Sequence, residues 1–111
     1  MYRRYSIGDV VLVHYPYIDE NGERCTKVRP AVVLDVDGDD HYIIKCTSKN
    51  RSDKLLGIWV LKESPEGIRM RITDNTFINA TETITLKPYF FIRKIGDCPF
   101  IDRLKDMVTQ R

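Results

Sequence analysis

Arg29 stands between a polar stretch and an apolar one, with Pro30 fixing the backbone right after it. A guanidinium held there presents a rigid fork of donors to a phosphate or a carboxylate; the plainer alternative is a surface arginine at a strand start. Lys27, two residues earlier, points to the same face if the chain is extended. Thr47 and Ser48 end an apolar run and are followed by Lys49, Asn50 and Arg51. Two hydroxyls beside two cations suit a phosphodiester; a hydroxyl-rich strand exit is the plainer alternative. A hydroxyl nucleophile needs an adjacent base, and no triad of that kind is evident, so serine hydrolase chemistry is not expected. His14 lies beside Tyr15-Pro16, where an imidazole titrating near neutrality can move a proton; an exposed histidine without a role is the alternative. His41 follows Asp39-Asp40 at a turn and reads as structural.

The composition sets the frame. A chain of 111 residues is the length of one domain. Apolar residues make up 42% and charged residues 31%, the balance of a folded soluble chain rather than a disordered one. The net charge of +2 neither demands nor excludes a nucleic-acid partner, because a local patch matters more than a total. Basic and aromatic residues interleave at Arg3, Arg4, Tyr5, Tyr15, Tyr17, Arg24, Lys27, Arg69 and Arg71, a pattern compatible with a cationic groove carrying stacking rings. Cys25, Cys46 and Cys98 have neither a disulfide-framework nor a metal-ligand spacing. Asp35, Asp37, Asp39 and Asp40 do not fit a calcium loop and read as a solvated turn. No phosphate-cradling glycine motif, secretory leader or apolar run of membrane-spanning length is present. The expectation is a cytoplasmic domain without metal or cofactor.

The elements that must position these residues are mostly strands. Val10–Tyr15, Ala31–Val36 and His41–Thr47 are rich in β-branched and aromatic residues. Pro16 is expected to end the first or place its end at an edge, and Pro30 to open the second. Residues 17–27 read as an exposed loop or hairpin tip, with Asn21-Gly22 as a type I′ reversal. Asp37-Gly38-Asp39-Asp40 links the second and third strands. Leu56–Leu61 is a fourth strand candidate, and Ser64-Pro65-Glu66-Gly67 a turn. Ile68–Ile72 alternates apolar and basic residues, as a half-buried strand does. Thr83–Leu86 and Tyr89–Ile92 are strand-like, broken at Lys87-Pro88 by a bulge or short helical turn. Phe100, Ile101, Leu104, Met107 and Val108 mark a closing helix, with Pro99 at its start and Asp97 or Cys98 as cap. Many short strands and one late helix predict a mainly β fold, a small barrel or strongly bent sheet.

In order along the chain, these segments resemble the MazF/PemK family of toxin endoribonucleases from toxin–antitoxin modules. Gly8-Asp9-Val10-Val11-Leu12-Val13 is similar to the family's first strand. Lys27-Val28-Arg29-Pro30-Ala31-Val32-Val33-Leu34 is similar to its most distinctive segment, with Val28 where many members carry a further basic residue. Cys46-Thr47-Ser48 resembles its strand-terminal Thr-Ser. Thr83-Ile84-Thr85-Leu86, Ile92–Gly96 and residues 99–110 resemble its late strands and closing helix, whereas Leu55–Thr76 lies outside the resemblance.

The resemblance implies an SH3-like barrel over residues 1–111, assembled as a homodimer, that cuts single-stranded RNA without a metal and is blocked by a cognate antitoxin. Operator DNA is a partner only of the toxin–antitoxin complex. Arg29 matches the catalytic arginine, Thr47 the catalytic threonine and Ser48 the neighbouring hydroxyl, with His14 a candidate proton carrier on position alone. Tyr17, Arg24, Lys27, Lys49 and Arg51 are the candidate RNA contacts, and residues 17–27 correspond to the substrate loop. The implied chemistry is attack of the RNA 2′-OH on its own phosphate, giving a 2′,3′-cyclic phosphate and a 5′-OH. The alternatives are a nucleic-acid-binding module without catalysis, a barrel toxin acting on a protein such as a topoisomerase, and a peptide-binding interaction domain.

Overall fold

A computed structural model describes residues 4–110. Arg3 lies outside the described residues. The chain forms a mainly β, curled half-barrel sheet with a C-terminal helix. Its strands are β1 (Asp9–Ile18), β2 (Arg24–Asp37), β3 (Asp40–Thr47), β4 (Gly57–Val60), β5 (Thr76–Asn79), β6 (Ile84–Leu86) and β7 (Phe91–Asp97). A short helix α1 (Pro65–Met70) separates β4 from β5, and α2 (Ile101–Gln110) closes the chain. The sheet order is β4-β5-β3-β2-β1-β7, with β6 on β3.

The unbroken apolar runs of β1, β2 and β3 have a physical reason: both faces of these strands are covered. Val10, Val32, Leu34, Ile44 and Cys46 face a cluster completed by Ile58, Ile78, Met70 of α1 and Leu104 of α2. Val11, Val13, Tyr15, Ala31, Val33 and Ile43 face a second cluster with Tyr5, Leu86 and Phe91. The α2 stripe is core as its spacing predicts, with Leu104 fully buried and Phe100, Ile101, Met107 and Val108 packed on the first cluster.

The first hairpin extends well past its predicted ends. β1 pairs with β2 from Val10↔Val32 to Ile18↔Arg24, so most of residues 17–27 is strand rather than loop. Only Asp19–Glu23 turn. Gly22 has φ +78 while Asn21 does not enter the positive region, so the reversal is a type I turn closed by a glycine bulge, not type I′. The Asp19 carboxylate locks it by accepting from the N–H groups of Asn21 and Glu23. Pro16 and Pro30 both lie inside strands. This is possible because β1 pairs with β7 only over Asp9–Val13, and β2 pairs with β3 only from Ala31 onward. Each proline therefore stands where its strand has a single partner and can direct its missing N–H outward.

Three further expectations are corrected. Ser64–Gly67 and Ile68–Ile72 are not a turn and a strand; Pro65–Met70 is helical. Ser64 Oγ accepts from the Gly67 N–H at 3.0 Å and Pro65 takes the first turn, and this start signal overrides a five-residue alternation. Ser64→Ala is expected to lower stability by about 1 kcal/mol in urea unfolding. Tyr89 and Phe90 belong to a short 3-10 turn, Pro88–Phe90, and the strand begins at Phe91. Asp97 ends β7 and pairs with Lys94 at 2.9 Å instead of capping α2, and Cys98 lies before the Pro99-Phe100 turn that leads into it. The β5 strand carried no sequence expectation.

His41 is fully buried; its Nε2 accepts from the Tyr5 N–H at 3.2 Å and its Nδ1 lies 2.9 Å from the Asp39 carbonyl oxygen. The Asp37–Asp40 segment is a two-residue reversal with Gly38 at φ +61, and its carboxylates meet Lys87 and Arg4.

Candidate functional site

The site is made by strands that part. Below Ala31↔Lys45, β2 stays with β1, while Cys46 and Thr47 of β3 pair with Ile78 and Phe77 of β5. A gap opens between the two pairs. Its lips are Lys27, Arg29, Thr47 and Ser48, and two depressions adjoin along them. Continuing the β2–β3 register past Ala31↔Lys45 puts Arg29 level with Thr47. Strand alternation then sorts the side chains: Lys27 and Arg29 pair across β1 with Tyr15 and Val13, on one face with Lys45 and Thr47.

The first depression, of about 430 Å³, is walled by Leu12, Val28, Pro30, Ile72 and Ile95, with Arg71, Arg93, Thr73, Asp74 and Thr76 around the lips. The second, of about 400 Å³, adds Lys45, Lys49, Arg51 and Asn79. Cations thus outnumber acids on these walls, where Asp74 is the carboxylate. A chain whose total is only +2 concentrates positive charge here. Arg29 has no carboxylate within ion-pair distance among the described residues.

Polar groups at the margin are held in place. Lys45 Nζ lies 3.7 Å from Glu82 and 5.7 Å from the centre of the Tyr15 ring. Burial and the Glu82 carboxylate push the Tyr15 hydroxyl up to about 12, against a smaller opposing pull from Arg29. A raised acid favours the folded state below pH 10, where both states hold the proton, and loses that contribution as the unfolded chain ionises. The wild type is therefore expected to lose stability from about pH 10 to about pH 12 relative to Tyr15→Phe, read as the difference in urea midpoints. Thr47 Oγ1 donates to the Lys49 carbonyl at 3.3 Å, which commits its proton and leaves its oxygen to act as an acceptor. Asn79 Oδ1 is held by the Thr81 N–H and hydroxyl.

Of the residues singled out from sequence, Arg29, Thr47, Ser48, Lys27, Lys49 and Arg51 come together. His14 does not. It is exposed, pairs with Val28, and lies on the face opposite Arg29. Tyr17 and Arg24 sit near the tip of the β1–β2 arm, off both depressions. Lys45, Arg93, Asp74 and Asn79 were missed. Lys45 was within reach, two residues before Thr47 on the same strand face. Arg71 stood out only as one of the interleaved basic residues.

Arg71 sits where a glycine is usual. It ends α1 in the left-handed region at φ 57, donating to the Ile68 carbonyl while Ile72 donates to that of Gly67. A side chain in that conformation costs about 1 kcal/mol relative to glycine.

The chain matches no known protein-family model and no curated protein. Among the described residues no group of His, Cys, Asp and Glu side chains forms a metal-binding cluster, and no helix is long and apolar enough to cross a membrane.

Proposed function

We propose that this protein is a cytoplasmic endoribonuclease of the MazF/PemK type, with an SH3-like barrel, cutting single-stranded RNA by attack of its own 2′-OH. The observation that carries the reading is the meeting of Arg29 with Thr47 and Ser48 across the gap between β2 and β3, inside a cationic surface. The substrate supplies the nucleophile, so no side-chain triad is needed. Arg29, half-buried and unpaired with any described carboxylate, offsets the charge that gathers on the phosphoryl oxygens. Thr47, its proton committed to Lys49, accepts from the attacking 2′-OH and orients it. Ser48 donates to the phosphate. Glu82 with Lys45 brings a carboxylate and an ammonium to the margin for proton transfer. Homodimerisation, a cognate antitoxin over this surface, and operator DNA for the joint complex belong to the same reading.

The test is incubation of the purified protein with a long single-stranded RNA of many sequence contexts in EDTA. Mapped 5′-OH and cyclic-phosphate ends, with DNA of the same sequence left whole, support the reading. Whole RNA beside a folded protein overturns it. A second reading, a nucleic-acid binder without cleavage, is favoured by the position of His14, which takes an imidazole away from the gap. Binding indifferent to the 2′-OH, with whole RNA after long incubation, selects it.

A further inference from the structure

The 430 Å³ depression holds more than the proposed cleavage chemistry uses. Arg71 and Arg93 approach it from separate elements, α1's C-terminal end and β7. Both are exposed, and neither has a carboxylate within ion-pair distance among the described residues. Arg71 attracts Asp97 only at longer range. Two cations left unneutralised around one concavity attract an anion more effectively than solvated charges spread over a surface.

The backbone of Arg71 adds an independent observation. The position that ends a helix in the left-handed region favours glycine, and here it bears a long cationic side chain. Retained local strain is a reason to look for a role for the side chain. Its support is rigid. A Cβ on Gly96 of β7 would lie 2.2 Å from the Met70 carbonyl oxygen, and one on Gly67 2.1 Å from that of Leu61. The helix end is thus seated directly on the backbone of β7, and Arg71 is presented from a fixed point. Arg93 lies on that same strand, paired with Leu12 of β1, which lines the same depression.

The depression also shares Lys27, Arg29, Thr47 and Ser48 with its neighbour. Leu12, Val28, Pro30 and Arg93 alternate onto the face opposite Lys27 and Arg29, so a polyanion anchored on those residues reaches it through the gap between β2 and β3. Leu12, Val28, Pro30 and Ile72 offer an apolar wall on that path. We infer that Arg71 and Arg93 form a second phosphate subsite, which binds the phosphate next to the one held by Arg29 on the same single strand of RNA. This deepens the proposed function and rests on it.

The experiment measures binding of a mixed-sequence single-stranded 2′-O-methyl RNA of about ten nucleotides, which cannot be cleaved, as salt rises from about 50 to about 200 mM. Single-stranded contacts contribute roughly 0.7 to the slope of log affinity against log salt for each phosphate neutralised. Arg71→Gly and Arg93→Gln are each expected to lower that slope by about 0.7, and the double variant by about 1.4. Arg71→Gly is also expected to melt no lower than the wild type, because glycine suits its backbone. Arg69→Gln, on the same helix but off the depression, is expected to leave the slope unchanged. Equal slopes for wild type, Arg71→Gly and Arg93→Gln, with a lower slope for Arg29→Ala, overturn the subsite and leave the proposed function standing. An Arg69→Gln loss as large as that of Arg71→Gly also overturns it, since the effect is then diffuse charge. No binding by the wild type at the lowest salt removes the proposed function and the subsite together.

Discussion

Arg29→Ala is expected to lower the rate of the proposed RNA cleavage by about a thousandfold while leaving the fold intact. The rate effect follows from where the guanidinium stands. It lines both depressions, level with Thr47, and no described carboxylate within ion-pair distance neutralises it. A donor fixed before the reaction stabilises charge that develops on phosphoryl oxygens without reorganising. The small stability effect follows from the same surroundings. Arg29 is half-buried, outside both apolar clusters, and unpaired with any described acid, so truncation is expected to cost less than about 1 kcal/mol. Single-turnover cleavage and urea unfolding on the same preparation separate the two. Arg29→Lys keeps the charge and loses the planar fork, so it is expected to recover only part of the rate. A variant that loses folding and cleavage in equal measure removes Arg29 from the chemistry.

Gly96→Ala is expected to lower stability by about 3 kcal/mol. The new Cβ would lie 2.2 Å from the Met70 oxygen, 2.4 Å from its carbonyl carbon and 2.9 Å from the Arg69 oxygen. All three are backbone atoms, so no rotamer change relieves the contact. Either β7 or the end of α1 must move. Gly96 also pairs with the fully buried Val10 of β1, so movement of β7 disturbs that pairing. Displacement of α1 carries Arg71 with it, so weaker RNA binding is expected alongside lower stability. Gly38→Ala is the informative contrast. A Cβ there meets nothing within 4 Å, and its cost comes from φ +61 alone, about 1 kcal/mol. Urea midpoints at constant m distinguish the two variants. A Gly96→Ala protein within about 1 kcal/mol of the wild type shows that the helix end can lift from the strand.

The order of residues alone dictates a mainly β chain, its first three strands and its closing helix. Those elements announce themselves because they are long and their apolar residues are regular: Val10–Tyr15, Ala31–Val36 and the Phe100–Val108 stripe. Arg29, Thr47 and Ser48 also stand out by type and by standing where apolar runs begin or end in the sequence. The ends of the first hairpin were not legible. Pro16 and Pro30 ordinarily mark strand limits, and only the sheet's pairing pattern left each with a single neighbour. Helix α1 was hidden because five alternating residues suit a strand, while its cap and its seat on Gly96 involve contacts beyond that alternation. The gap itself belongs wholly to the assembled sheet. It exists because β3 leaves β2 for β5 just beyond Lys45, which opens a space between Arg29 and Thr47 at positions the β2–β3 register sets level, while the β1–β2 register places His14 on the opposite face. Spacing along a chain fixes which face of a strand a side chain occupies; which strands then stand beside it is decided by how the sheet curls to bury both faces of its apolar strands.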